Sequence, residues 1–147
     1  MDQCAAAPAG LESLLQSADP GLAAGPWVCS SDAAVSQAVS DFQGTVRQDG
    51  IGPGLRTYAR TRDFLLYMDG QAPMALADAN RHFTEHPIEG SFEETSRAGS
   101  ADGRVAYVAG DFTDTKQGIG HAYVQIWQYE ARVANWGLRI LSFKASR

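Results

Sequence analysis

The sequence predicts an α+β fold in which N-terminal helices pack inside a curved antiparallel sheet. Three observations carry this. The first half places apolar residues at spacings of three and four, the mark of helices with one buried face. From Ile88 on, long β-rich segments are joined by short turns, as in an antiparallel meander. With 147 residues, 44 % hydrophobic and 20 % charged, the chain is sized and composed for one core.

The elements follow in order. Leu11, Leu14 and Leu15 in LESLLQSA form a short amphipathic helix, and the Gly-, Pro- and Ala-rich stretch from Asp19 to Ser31 reads as loop. Ser31 or Asp32 caps a helix over 32–49, whose stripe is Val35, Ala38, Val39, Phe42 and Val46 and whose stop is Gly50. Pro53 opens a shorter helix with Leu55, Tyr58 and Ala59 inside. Phe64 to Met68, closed by Asp69-Gly70, is a strand. Met74 to Glu85 returns to helical spacing until Pro87. Four strands follow: Gly90 to Arg97, Arg104 to Thr115, Ile119 to Arg132, and Asn135 to about Ala145. Gly110, in mid-strand, marks a bulge or sharp bend.

Charge narrows the function classes. The chain carries 12 basic and 17 acidic residues, net -5, which argues against a partner bound through a phosphate backbone. There is no apolar run long enough to span a membrane. Met1 to Gly10 lacks the apolar core of a signal peptide, yet matches the flexible stretch that follows a cleavage site, so periplasmic, secreted and cytoplasmic placements stay open. Cys4 and Cys29 are compatible with one disulfide or two free thiols, and their spacing fits no metal motif.

Histidine invites a metal reading that the context removes. His82-Phe-Thr-Glu-His86 spells a zinc-protease motif, but Pro87 frays its helix and no partner element accompanies it. Nothing brings His121 to His82 and His86, so no metal site is expected. The glycines of Asp49 to Gly54 follow a helix and form a linker rather than a phosphate cradle.

The strand from Ile119 to Tyr129 is more informative. Its period of two puts His121, Tyr123, Gln125 and Trp127 on one face, aromatic with polar handles, and Gly120, Ala122, Val124 and Ile126 on the other. The same alternation joins Asp111 to Tyr107, Ala109 and Thr113.

Four stretches, in this order, resemble the nuclear transport factor 2-like superfamily and, within it, the SnoaL-like group. They are Asp41-Phe-Gln-Gly-Thr-Val-Arg-Gln-Asp-Gly50 leading into Gly54-Leu-Arg-Thr-Tyr-Ala-Arg60; Asp63-Phe-Leu-Leu-Tyr-Met-Asp-Gly70 with Ala72-Pro73; Tyr107-Val-Ala-Gly-Asp-Phe112; and Gly120-His-Ala-Tyr-Val-Gln-Ile-Trp127 with Trp136-Gly-Leu-Arg-Ile140. The likeness covers residues 32–147 and leaves 1–31 as an N-terminal arm with a short helix. It departs from the family at Glu130-Ala-Arg-Val-Ala-Asn135, which lacks the customary Asp-Gly turn.

The resemblance implies a cone-shaped fold with an apolar mouth, suited to a hydrophobic or aromatic small molecule, and homodimers formed through the open sheet face. It does not fix an activity, because members include isomerases, dehydratases, lyases and non-catalytic binding domains. The primary expectation is a small-molecule-binding domain that uses no cofactor, with Tyr107, Tyr123, Gln125 and Trp127 as contacts. An alternative is a cofactor-free lyase, isomerase or dehydratase acting on an aromatic or polycyclic substrate. In it His121 or Asp111 moves a proton and Tyr58 or Tyr67 steadies developing charge. A second alternative is a structural dimerisation module.

Overall fold

The computed structural model describes residues 10–18, 27–28, 33–100, 103–116, 118 and 120–145. Cys4, Cys29, Ser31 and Asp32 lie outside the described residues. The elements are α1 (Leu11–Ala18), β1 (Trp27–Val28), α2 (Ala33–Asp49), α3 (Ile51–Tyr58), β2 (Leu65–Met68), β3 (Met74–Ala75), α4 (Leu76–Glu85), β4 (Gly90–Ser100), β5 (Val105–Asp114), β6 (Gly120–Glu130) and β7 (Asn135–Ala145). Among the described residues no helix is long and apolar enough to cross a membrane.

Val35, Val39, Phe42 and Val46 are the buried stripe of α2, the spacing that made the helix legible. They meet Ile51 and Leu55 of α3 and Ala79 and Phe83 of α4, and all pack on one face of the sheet. The first two residues of the expected helix over Met74 to Glu85 are instead a short edge strand, β3, and α4 ends at Glu85, capped by His86 just before Pro87.

The sheet is curved and unclosed, in the order β1-β4-β5-β6-β7-β2-β3. Strands β4 to β7 form the antiparallel meander. The departure from an all-antiparallel sheet is β2, which pairs parallel to β7 from Leu65 opposite Ile140 to Met68 opposite Phe143. The meander ends with the far side of β7 open, and β2, arriving from α3, runs in the same direction beside it.

Gly110 does mark a bulge, but the extra residue is on the neighbouring strand: the β4–β5 register shifts between Glu94 and Ser96, opposite Gly110. A Cβ at Gly110 would lie 1.9 Å from the Glu93 carbonyl oxygen, so only glycine lets the bulged backbone approach.

The outer face of the sheet is also covered. Ala98, Val105, Tyr107, Ala109, Ile126 and Ile140 form a second core with Leu11 and Leu15 of α1. Trp27 of β1 stands edge-on to Tyr107 with ring centroids 5.1 Å apart. Burying each leucine side chain there stabilises the docked helix by about 2 kcal/mol. Residues of the N-terminal arm therefore complete the outer layer of the sheet.

Candidate functional site

Strand pairing sorts the candidate residues onto two faces. Across the inner face, toward α2, α3 and α4, one row runs Glu94, Gly110, Tyr123, Phe143, Met68. The next row runs Arg97, Val108, Gln125, Leu141, Leu66, and beyond it Ala106 and Trp127 are paired. Phe112 faces His121 at the opposite end. The face read from the alternation of β6 is thus the inner one. Val124 and Ile126 belong to the outer core.

The inner face is packed with rings. Phe92 lies 4.7 Å from both Phe112 and Tyr123, Phe112 lies 5.3 Å from Phe143, and Phe42 lies 5.8 Å from Phe92 and Trp127. Such edge and tilted contacts hold the rings in place beyond simple area burial. Tyr58 of α3 stands edge-on to Phe42 at 6.0 Å.

Two polar groups in this apolar core lack a partner. The indole N–H of Trp127 can only donate, and it donates to Gln125 Oε1 at 2.9 Å. That bond fixes the amide orientation and leaves Gln125 Nε2 buried with no acceptor. The Tyr123 hydroxyl is likewise buried and unbonded. Burial, joined by the negative charge of Glu94, pushes the Tyr123 phenol well above its usual range, so it stays protonated and able to donate. At the rim, Arg97 grips Glu94 with two bonds of 2.9 and 2.7 Å and donates to Ser36 Oγ at 2.6 Å.

The remaining candidates separate. His121 is half-buried, its ring 6.2 Å from Phe143. Asp111, Tyr107 and Tyr67 are on the outer face, away from the inner aromatic core, which corrects their reading as candidates on the same face as Tyr123 and Gln125. In β5 the larger apolar side chains Val108 and Phe112 take the inner positions, so Tyr107 and Asp111 point the other way, and Asp111 is exposed. Tyr107 packs in the outer core. Tyr67 is in register with Ser142 and donates to Ser17 of α1 at 3.4 Å, beside a cavity of about 340 Å³ beneath that helix. His86 ends α4, its ring 5.0 Å from that of His82, and among the described residues no group of three or more potential metal ligands forms.

A charged cluster escaped the sequence reading. Asp63, in sequence a carboxylate candidate at the start of a strand, is its centre. It accepts two bonds from Arg60, at 2.8 and 3.2 Å, while its backbone carbonyl accepts from Arg139. Arg60 also donates to Glu130 at 2.6 Å. Burial raises the Asp63 carboxyl, but the Arg60 hydrogen bond and the charges of Arg139 and Arg60 outweigh it and hold the group below the usual carboxylate range. The spacing of Arg60 and Asp63 was a visible signal, whereas Glu130 and Arg139 join only through the β6–β7 pairing.

No protein-family model matches the chain, and comparison with curated proteins returns no match. Solved structures do match it. An NTF2-like protein from Cytophaga hutchinsonii aligns with a TM-score of 0.61 at 9 % identity over 80 % of this chain and 99 % of its own. An NTF-2 like protein of unknown function from Shewanella oneidensis gives 0.63 at 10 % identity, covering 78 % and 99 %. A ketosteroid isomerase-like protein from Erwinia carotovora atroseptica gives 0.53 at 16 % identity, covering 78 % and 95 %. At these identities the likeness concerns the fold: the chain has the fold of the nuclear transport factor 2-like superfamily.

Proposed function

We propose that residues 32–147 form a SnoaL-like domain that binds a small, flat organic molecule on the inner face of its sheet. Tyr123 and Gln125 serve as polar anchors, with Trp127 and the phenylalanines as apolar walls. Leu11, Leu15 and Trp27, which precede that domain, cover the outer face. The observation that carries this reading is the pair of buried, unpartnered donors, Tyr123 Oη and Gln125 Nε2, in an otherwise aromatic core. Leaving such a group unbonded costs about 1–3 kcal/mol, and a ligand carbonyl or hydroxyl would offset that cost. Ligand entry displaces the rings that fill the space around Tyr123.

The catalytic alternative has less support. Among the described residues the carboxylates on the inner face are engaged, Glu94 by Arg97 and Asp114 by the Lys116 N–H at 2.8 Å. No free carboxylate stands ready to exchange a proton with a substrate there. A dimerisation module using the outer face would first have to shed α1.

The test compares acetylnaphthalene, which carries a carbonyl acceptor, with ethylnaphthalene, which does not. Ligand-observed NMR should show the ketone binding about tenfold more tightly. Tyr123→Phe and Gln125→Leu should each erase that preference, and His121→Ala should leave it. Equal binding of the two compounds, or a preference indifferent to Tyr123 and Gln125, would sink the reading.

A further inference from the structure

A concave site lies outside the aromatic core. The loop from α3 to β2 and the turn from β6 to β7 enclose a cleft of about 670 Å³, lined by Tyr58, Arg60, Arg62, Arg132, Val133 and Trp136 among others. Its floor is rigid: Arg60 N–H donates to the Leu138 carbonyl at 2.9 Å, and Ala59 bridges Leu138. Gly137 lets the Arg60 stem lie flat on β7, since a Cβ there would come within 2.8 Å of Arg60 Cγ.

The charges of the cleft do not balance. Arg60 is held by Asp63 and Glu130. Arg62 and Arg132 are exposed on the two sides of the opening, and neither makes an ion pair among the described residues. In a chain of net charge -5 this is a local positive pole. Beside Arg132, Val133 is 69 % exposed, an apolar side chain presented to solvent at the lip. The wall behind is the Trp136 indole, steadied edge-on by Tyr129 at 5.6 Å.

The turn that presents Arg132 and Val133 is strained. Ala134 has φ 50, a left-handed conformation that favours glycine, in the segment where the customary Asp-Gly is missing. Backbone strain of this kind gathers where a chain holds side chains for use. Here it sets an apolar residue and a guanidinium side by side over an aromatic wall.

We infer that this cleft binds a small organic carboxylate with a flat apolar body, its carboxylate held by Arg62 and Arg132 and its body lying between Val133 and Trp136. Guanidinium forks match a carboxylate geometrically and electrostatically. The site is independent of Tyr123 and Gln125.

The experiment titrates naphthoate, its neutral amide naphthamide, and inorganic phosphate into the full chain. Chemical shifts of the Trp136 indole N–H, assigned with Trp136→Phe, follow binding. Naphthoate should shift that signal and bind at least tenfold more tightly than naphthamide, and phosphate should displace it only weakly. Arg62→Ala with Arg132→Ala should abolish the preference for the acid. Val133→Ser should weaken naphthoate about threefold. Arg62, Arg132 and Val133 are exposed, so a matched circular dichroism spectrum and melting curve will certify the fold of those variants. Equal binding of acid and amide, survival of the preference for the acid in the double arginine variant, or displacement by phosphate at equal concentration would each overturn the assignment.

Discussion

The indole N–H of Trp127 donates to Oε1 of Gln125 at 2.9 Å, with both residues fully buried. The bond joins residues two apart on one strand and sets which end of the amide is left unbonded in the core. Gln125→Leu strands the indole donor but also removes an unpartnered amide nitrogen, so the net loss should be small, about 1 kcal/mol. Trp127→Phe leaves both ends of the amide unmet and a void, a loss of about 3 kcal/mol. Urea unfolding of the single variants and the double should give a coupling of about 1 kcal/mol. A coupling near zero would mean that the bond does not orient the amide.

Tyr123 makes a sharper case, because function and stability should move in opposite directions. Its hydroxyl is buried without a partner, so Tyr123→Phe should stabilise the free protein by about 1 kcal/mol while weakening binding of a carbonyl ligand. The folded phenol is raised above its unfolded value of 10.0. The folded form therefore holds its proton longer, and stability from this source is complete below about pH 10 and lost as pH rises beyond it. Unfolding of wild type above that pH should be steeper in pH than unfolding of Tyr123→Phe. A less stable variant would show that the hydroxyl has a partner in solution.

Local patterns carried most of the fold into view. The α2 stripe, the Asp69-Gly70 turn and the alternation of His121, Tyr123, Gln125 and Trp127 depend on residues a few positions apart, where 3.6- and two-residue periods are direct evidence. Facing was not legible in the same way. Alternation shows that Asp111 and Tyr107 share a face, but which face goes inward is decided by competition with Val108 and Phe112 across the whole sheet. The parallel pairing of β2 with β7, the docking of α1 on the outer face and the Asp63–Arg139 contact join segments far apart in sequence. No short window contains them.

Asp63 gives a pH-dependent prediction. Its folded carboxyl lies below the unfolded value of 3.8. The ion pairs therefore stabilise the fold fully above about pH 4, and that contribution is lost as pH falls through the lower folded value. Arg139 is 4 % exposed, so removing the charge at Asp63 is felt by a buried guanidinium, whereas the carboxylate itself is 37 % exposed and screened by water. Asp63→Asn should cost about 2 kcal/mol at neutral pH, less than a fully buried pair would. The gap between wild type and variant in urea should narrow steadily below about pH 4. A gap constant with pH would assign the loss to packing instead.

The outer face supplies the last prediction. Leu15 is fully buried against the second core, and its neighbours there, Tyr107, Ile126 and Ile140, form a continuous apolar surface once α1 leaves. An eight-residue helix is marginal by itself in water, so α1 persists because of that docking. Leu15→Asp places a charge in the seam and should undock the helix, with a loss of about 3 kcal/mol in the docking equilibrium. An exposed patch of this kind favours a second copy of the chain. Light scattering on eluted protein should find wild type at 15.8 kDa, one chain, and Leu15→Asp at about twice that mass or in exchange with it. Two chains per particle in both proteins would mean that pairing uses a surface other than the one α1 covers. A single chain in both, with α1 amides newly exchanging in the variant, would mean that the bare sheet face does not recruit a copy of itself.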